Sequence, residues 1–195
     1  MVNTLIVSGS PRRNGDSMSL VNEMVKYIDG NVKLIHAYYA DIAPCNDCRY
    51  CWQNDGCAIE DEMQEVYELL AKVDNFIIAS PLYFSELSGP LLSFASRLQC
   101  LYAQRVIRKK GDLGLREKNG VLVLAGGGDG RYGPAVDRVR ILFRHTNTNL
   151  IGTVLSLKTN DLPAIRDLQA LGEARRLAER LNELNGVPTY RSDKE

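Results

Sequence analysis

Residues 4–19 read Thr4-Leu5-Ile6-Val7-Ser8-Gly9-Ser10-Pro11-Arg12-Arg13-Asn14-Gly15-Asp16-Ser17-Met18-Ser19, and this stretch decides the fold. A short unbroken apolar run, rich in branched side chains, gives way to a loop of hydroxyls, glycines and guanidinium groups. Then Leu20, Val21, Met24, Val25 and Ile28 fall on one stripe of a helix over residues 17–29. Unbroken hydrophobicity marks a strand covered on both faces, as in a parallel sheet. The unit is strand, polar turn, helix.

The same unit recurs along the 195 residues. Apolar runs at 4–7, 32–37, 75–79, 121–125 and 150–157 are expected strands, the first, third and fourth nearly continuous. Helical periodicity appears at 17–29, 61–72, 91–102, 134–144 and 163–184, the last two opening on a proline, where the missing N–H costs little. The alternation predicts an α/β fold: a doubly wound parallel sheet of five strands with helices on both faces. No repeat or linker interrupts it, so one domain over 1–189 is expected, followed by a polar tail at 190–195. In such a sheet ligands bind beyond the carboxyl ends of the strands. That rule selects the loops 8–19, 80–89 and 126–133.

Composition narrows the function. Acidic and basic side chains balance at 24 each, so no overall field draws nucleic acid or an anionic membrane, and neither is an expected partner. No stretch reaches the roughly 18 to 20 apolar residues of a membrane span. The N-terminal apolar run is too short for a signal peptide, so a cytoplasmic location is expected.

The first loop has the chemistry of a phosphate site. A helix start offers free N–H groups and the positive end of its dipole. Ser10, Ser17 and Ser19 add hydroxyl donors, and Arg12 or Arg13 adds charge. No G-x-x-x-x-G-K-[ST] motif is present, which argues against a nucleoside triphosphate. The run Gly128-Asp129-Gly130-Arg131-Tyr132-Gly133 does match G-x-G-x-x-G. The acidic residue that a dinucleotide site needs about 20 positions later is missing, so this loop is read as flexible backbone beside a ligand.

Ser8-Gly9-Ser10-Pro11-Arg12 with Gly15 and Ser17, Ser80-Pro81-Leu82-Tyr83-Phe84, and Gly126-Gly127-Gly128 together resemble the NADPH-dependent FMN reductase family of flavodoxin-like proteins. The resemblance implies the strand order 2-1-3-4-5 and FMN as cofactor. It assigns Ser10, Arg12, Ser17, Met18 and Ser19 to the FMN phosphate. Pro81, Leu82, Tyr83 and Phe84 would border the isoalloxazine, with Ala125, Gly126, Gly127 and Gly128 along its other edge. The implied activity is oxidation of NAD(P)H by bound FMN, which passes electrons to a quinone, free flavin, metal ion or redox protein such as ferredoxin. No side chain is expected to be catalytic in its own right, because the flavin carries the chemistry. The resemblance also implies a homodimer or homotetramer.

Four of the five cysteines crowd into Cys45, Cys48, Cys51 and Cys57, spaced C-x2-C-x2-C-x5-C. A compact run of this kind can wrap an iron–sulfur cube, whereas zinc sites favour two separated pairs. The spacing is similar to that of the iron–sulfur flavoproteins, which implies four ligands to a [4Fe–4S] cluster and an electron carrier. Other flavin reductases with such a loop use the thiols structurally or beside the substrate, and that alternative stays open. Cys100 is expected in the core; Arg97 and Arg105 at helix ends or a subunit contact; His36 and His145 as structural or surface residues. Trp52 has two readings, over the flavin or at an interface. A flavodoxin-like scaffold without cofactor is the non-enzymatic alternative, against which the intact first loop argues.

Overall fold

In the computed structural model residues 2–111 and 113–186 are described; the expected tail at 190–195 lies outside them. Five parallel strands stand in the order β2-β1-β3-β4-β5, with β1 at Asn3–Ser8, β2 at Asn31–His36, β3 at Asn75–Pro81, β4 at Lys118–Ala125 and β5 at Thr148–Ser156. The three runs that read as continuous hydrophobicity, β1, β3 and β4, are the interior strands. The two edge strands are partly exposed.

Alternate residues of the inner strands feed two apolar layers. Leu5, Val7, Phe76, Ile78, Leu122 and Leu124 pack against α2 (Met63–Lys72), α3 (Gly89–Ser96) and α5 (Gly133–His145). Ile6, Ile77, Ala79, Val121 and Val123 pack against α1 (Asp16–Val25) and α6 (Leu168–Leu184). The period of two along each strand thus serves both faces of the sheet.

Two expected helices are shorter than their periodicity. The apolar stripe over 91–102 breaks after Ser96 and resumes as α4 (Gln99–Tyr102), followed by a π-helical turn at Ala103–Ile107. The Arg97 carbonyl accepts the Tyr67 hydroxyl at 2.7 Å, a cross-chain bond that competes with the helical ladder at the break. The segment from Pro163 first makes a 3-10 turn, Ala164–Arg166. The long helix starts only where Asp167 accepts the Ala170 N–H at 3.0 Å and caps it.

At the end of the sheet away from the loops 8–19 and 80–89, Lys118 is 2% exposed and donates to the carbonyls of Arg116 and Thr146, each at 2.6 Å. Burial, then the charges of Arg105 and Arg116, push its pKa down from 10.5 to about 8. Between those two values the unfolded chain holds a proton that the folded chain has released. Stability is therefore expected to rise with pH across that window and to carry the full cost of the buried charge below about 8. Urea titrations across the window should show this slope in the parent protein and a flatter profile in Lys118→Met.

Candidate functional site

The backbone ladder of the sheet runs on past the strands into the loops that make the site. Gly9 N–H donates to Ala79, Leu82 N–H to Ala125, and Gly126 N–H to Ser156, at 2.8, 2.8 and 2.9 Å. These three bonds fix the loops after β1, β3, β4 and β5 side by side at the carboxyl ends, where the strand order reverses around β1. Gly9 is required for this approach: a Cβ there would lie 2.3 Å from Ser88 Oγ and 2.7 Å from Leu91 Cβ.

In the first loop, Ser10 Oγ donates to the Arg12 carbonyl at 2.8 Å and accepts the Arg12 N–H at 3.2 Å, closing a tight turn. Gly15 stands at the N-cap of α1 in extended conformation and supplies no side-chain cap. Ser17 therefore lies inside the helix rather than capping it. Among the described residues no N-cap side chain satisfies the first-turn N–H groups of α1, the condition that favours an anion. Arg12 pairs with Asp16 at 3.0 Å, its side chain largely exposed. Asp16 also accepts the Ala164 N–H at 3.0 Å, tying α1 to the segment before α6. The Tyr39 hydroxyl donates to the Pro11 carbonyl, and Arg13 lies 4.8 Å over the Tyr39 ring.

These elements enclose an open cleft of about 310 Å³. Of the residues expected to bind a cofactor, Ser10, Arg12, Ser17, Pro81, Leu82, Tyr83, Ala125 and Gly127 line it. Met18 is buried in the core under α1, and Ser19 donates its hydroxyl to the Gly15 carbonyl at 3.2 Å. Gly126 and Gly128 meet the segment after β5, through Thr159 N–H to Gly126 and Lys158 N–H to Gly128 at 3.0 and 2.9 Å. Phe84 is fully exposed outside the cleft. It shares positive φ with Ser85 in a two-residue reverse turn closed by mutual bonds of Tyr83 and Glu86 at 3.0 Å.

Pro11, Asp16, Thr159 and Asn160 also line the cleft, although the sequence reading assigned none of them to the cofactor. The polar run after β5 was available to the carboxyl-end rule that selected the other loops. Asn160 packs so closely on Gly127 that a Cβ at that glycine would meet its side chain at 2.8 Å.

The cysteines form a separate site. Cys45, Cys48, Cys51 and Cys57 line one small cavity of about 20 Å³, together with Trp52, Arg97 and Cys100. Cys45 and Cys48 are exposed, Cys51 and Cys57 half-buried. Positive φ at Asp47 and Arg49 curls the loop back on itself, and Arg49 lies 4.9 Å over the Trp52 ring. Burial, then its own backbone bond acting the other way, then Cys57, Cys45 and Cys48 leave the Cys51 thiol above its usual range. Cys100 is buried as expected, pushed up to about 11 chiefly by burial, yet it also faces this cavity. Among the described residues no three His, Cys, Asp or Glu side chains converge closely enough for a single metal ion.

Arg97 stands at the end of α3, as the sequence suggested, but its side chain turns inward and is 1% exposed. Its Nη1 donates to Asp61 at 2.5 Å and to the Ala43 carbonyl at 2.9 Å, and its Nη2 to the Ile59 carbonyl at 3.1 Å. Burial opposes the charge, but the Asp61 bond and nearby Tyr67 and Cys57 outweigh it, so the guanidinium is held protonated. His36 ends β2 and His145 stacks edge-on against Tyr102 at 5.3 Å; neither reaches the cleft.

A sequence profile of the NADPH-dependent FMN reductases matches residues 2–161. The chain belongs to this family. An iron–sulfur flavoprotein of Methanosarcina thermophila is 27% identical over 124 residues, covering 62% of this chain and 61% of that relative. The chain thus spans less than two thirds of the length of that relative. YwqN of Bacillus subtilis (strain 168), provisionally named an NAD(P)H-dependent FMN-containing oxidoreductase, is 26% identical over 179 residues, 90% of this chain and 96% of its own. An FMN-dependent NADH-azoreductase of Bacillus anthracis, solved in complex with FMN, superposes with a TM-score of 0.63 at 17% identity, covering 92% of this chain and 99% of that one. At that identity the likeness is one of fold. Among the described residues of this family member no helix is long and apolar enough to cross a membrane.

Proposed function

We propose that the chain is an NAD(P)H-dependent oxidoreductase that holds FMN in the cleft beyond β1, β3 and β4. One observation carries this reading. The uncapped start of α1, with Ser10, Arg12 and Ser17 around it, opens into the same cleft as Pro81, Tyr83, Ala125 and Gly127. A dianionic phosphate fits the first group, and a flat ring with a polar rim fits the second. When bound, FMN supplies hydride acceptance and one- or two-electron release.

The chain's own part is to bind and orient. The α1 N–H groups and Arg12 neutralise the phosphate, with Asp16 holding Arg12 at the loop until then. Pro81 and Tyr83 offer an apolar wall, while Ala125 and Gly127 offer backbone without bulk, kept in place by the bonds from the segment after β5. The electron acceptor is a quinone, free flavin or other small molecule. A homodimer or homotetramer in the cytoplasm is the assembly proposed.

A second reading is favoured by the cysteine cavity: a [4Fe–4S] cluster on Cys45, Cys48, Cys51 and Cys57, exchanging electrons with FMN and with a ferredoxin-like partner. The donor set suits it, because four thiolates on one loop can each take a different iron without converging on one point. The buried Arg97 charge beside them suits a negatively charged cluster. The present opening admits little more than one water, so loading requires the loop to spread.

Purified protein should carry or take up FMN and oxidise NADH or NADPH with a quinone or free flavin as acceptor. Flavin with roughly four irons per chain would instead favour the electron carrier. Absence of both would leave the scaffold reading.

A further inference from the structure

The cysteine cavity contains a polar group that nothing in the flavin site uses. Arg97 has five N–H donors in a rigid fork. Nη1 and Nη2 are engaged with Asp61, Ala43 and Ile59, but Nε is buried and has no acceptor among the described residues. A buried unsatisfied donor on a charged group is costly and calls for an explanation. Ala43 stands two residues before Cys45 and Ile59 two after Cys57, so the fork grips both ends of the cysteine loop. The grip is reinforced by Asp61, which accepts from Ala43 N–H and Met63 N–H at 3.0 Å each. Arg97 and Cys57 line the same cavity.

We propose that Arg97 is the positioning residue of the four-cysteine site: it clamps both ends of the loop and keeps its Nε–H for a ligand sulfur, that of Cys57. The inference rests on the cluster reading above and deepens it. A hydrogen bond and a fixed positive charge at a cluster sulfur favour the reduced, more negative state and so raise the reduction potential. Asp61 has the opposite influence: it neutralises part of the Arg97 charge at the same place. A brace with no electrostatic role would not give the two residues opposite signs.

The test uses full-length protein reconstituted anaerobically with iron and sulfide, comparing the parent with Arg97→Met, Arg97→Lys and Asp61→Asn. Iron and sulfide content and the midpoint potential of the cluster are read, with FMN binding as the measure of folding. The parent should hold roughly four irons. Arg97→Met should lose cluster content and shift the remaining potential negative. Arg97→Lys, which keeps the charge but not the fork, should fall between. Asp61→Asn should shift the potential positive. Should Arg97→Met fail to bind FMN, the signs for Arg97→Lys and Asp61→Asn decide. A loaded parent with potentials unchanged, or shifted the same way in both sets, overturns the role of Arg97 alone. A parent that binds FMN but takes up no iron overturns the cluster reading, and this role with it.

Discussion

Replacing Ser10 and Arg12 together by alanine is expected to weaken FMN binding by about 100-fold, each lost charge-assisted or hydroxyl contact contributing about 1–2 kcal/mol. The two act differently. The Arg12 side chain is exposed and pairs with Asp16, an ion pair contributing less than about 1 kcal/mol to folding, so Arg12→Ala removes charge while leaving the backbone bonds of the loop in place. Ser10 both donates to and accepts from the Arg12 backbone, so its loss also loosens the turn of the proposed phosphate site. The single variants should therefore separate salt-dependent from salt-independent loss. Fluorescence titration of FMN against each variant checks this, and an undiminished affinity in the double variant would remove the phosphate from the first loop.

The second large effect is on the loop's footing. Gly9→Ala places a methyl group 2.3 Å from Ser88 Oγ and 2.7 Å from Leu91 Cβ. The serine hydroxyl can rotate away, but Leu91 Cβ is fixed by α3, so the first loop must shift from the sheet. Overpacking of this kind costs about 1–3 kcal/mol, and the proposed FMN site should move with it. Urea denaturation should show the lowered midpoint, with FMN affinity reduced in parallel. Gly172→Ala is the control: it sits in α6 with open space around it, and should gain up to about 1 kcal/mol from helix propensity. Equal stability of Gly9→Ala and the parent would mean that the loop is not held against α3 as described.

Much of this was legible because hydrophobic period and strand burial are local signals. The unbroken runs 4–7, 75–79 and 121–125 could only be strands with both faces covered, and they are the three inside the sheet. The glycines and hydroxyls before α1 marked the cleft for the same reason: a tight turn into a helix start is a local event. What escaped the sequence depends on partners far along the chain. Nothing near Arg97 says that Tyr67, Ala43, Ile59 and Asp61 will surround it: the arginine does stand at a helix end, but as a buried clamp. Asn160 became part of the site through Gly127 on a neighbouring loop. The family resemblance of residues 80–84 implies a ring contact for Phe84, whereas the reverse turn that closes at Glu86 carries it out of the cleft into solvent.

FMN held in this cleft should lie within reach of a reduced nicotinamide. The most direct test is an anaerobic titration of FMN-loaded protein with NADPH, and separately NADH, followed at the flavin absorption band. FMN is expected to remain bound after desalting and its band to bleach stoichiometrically, one nicotinamide oxidised per flavin. Protein that releases FMN on desalting, or holds it without any bleaching by either nicotinamide, would contradict it.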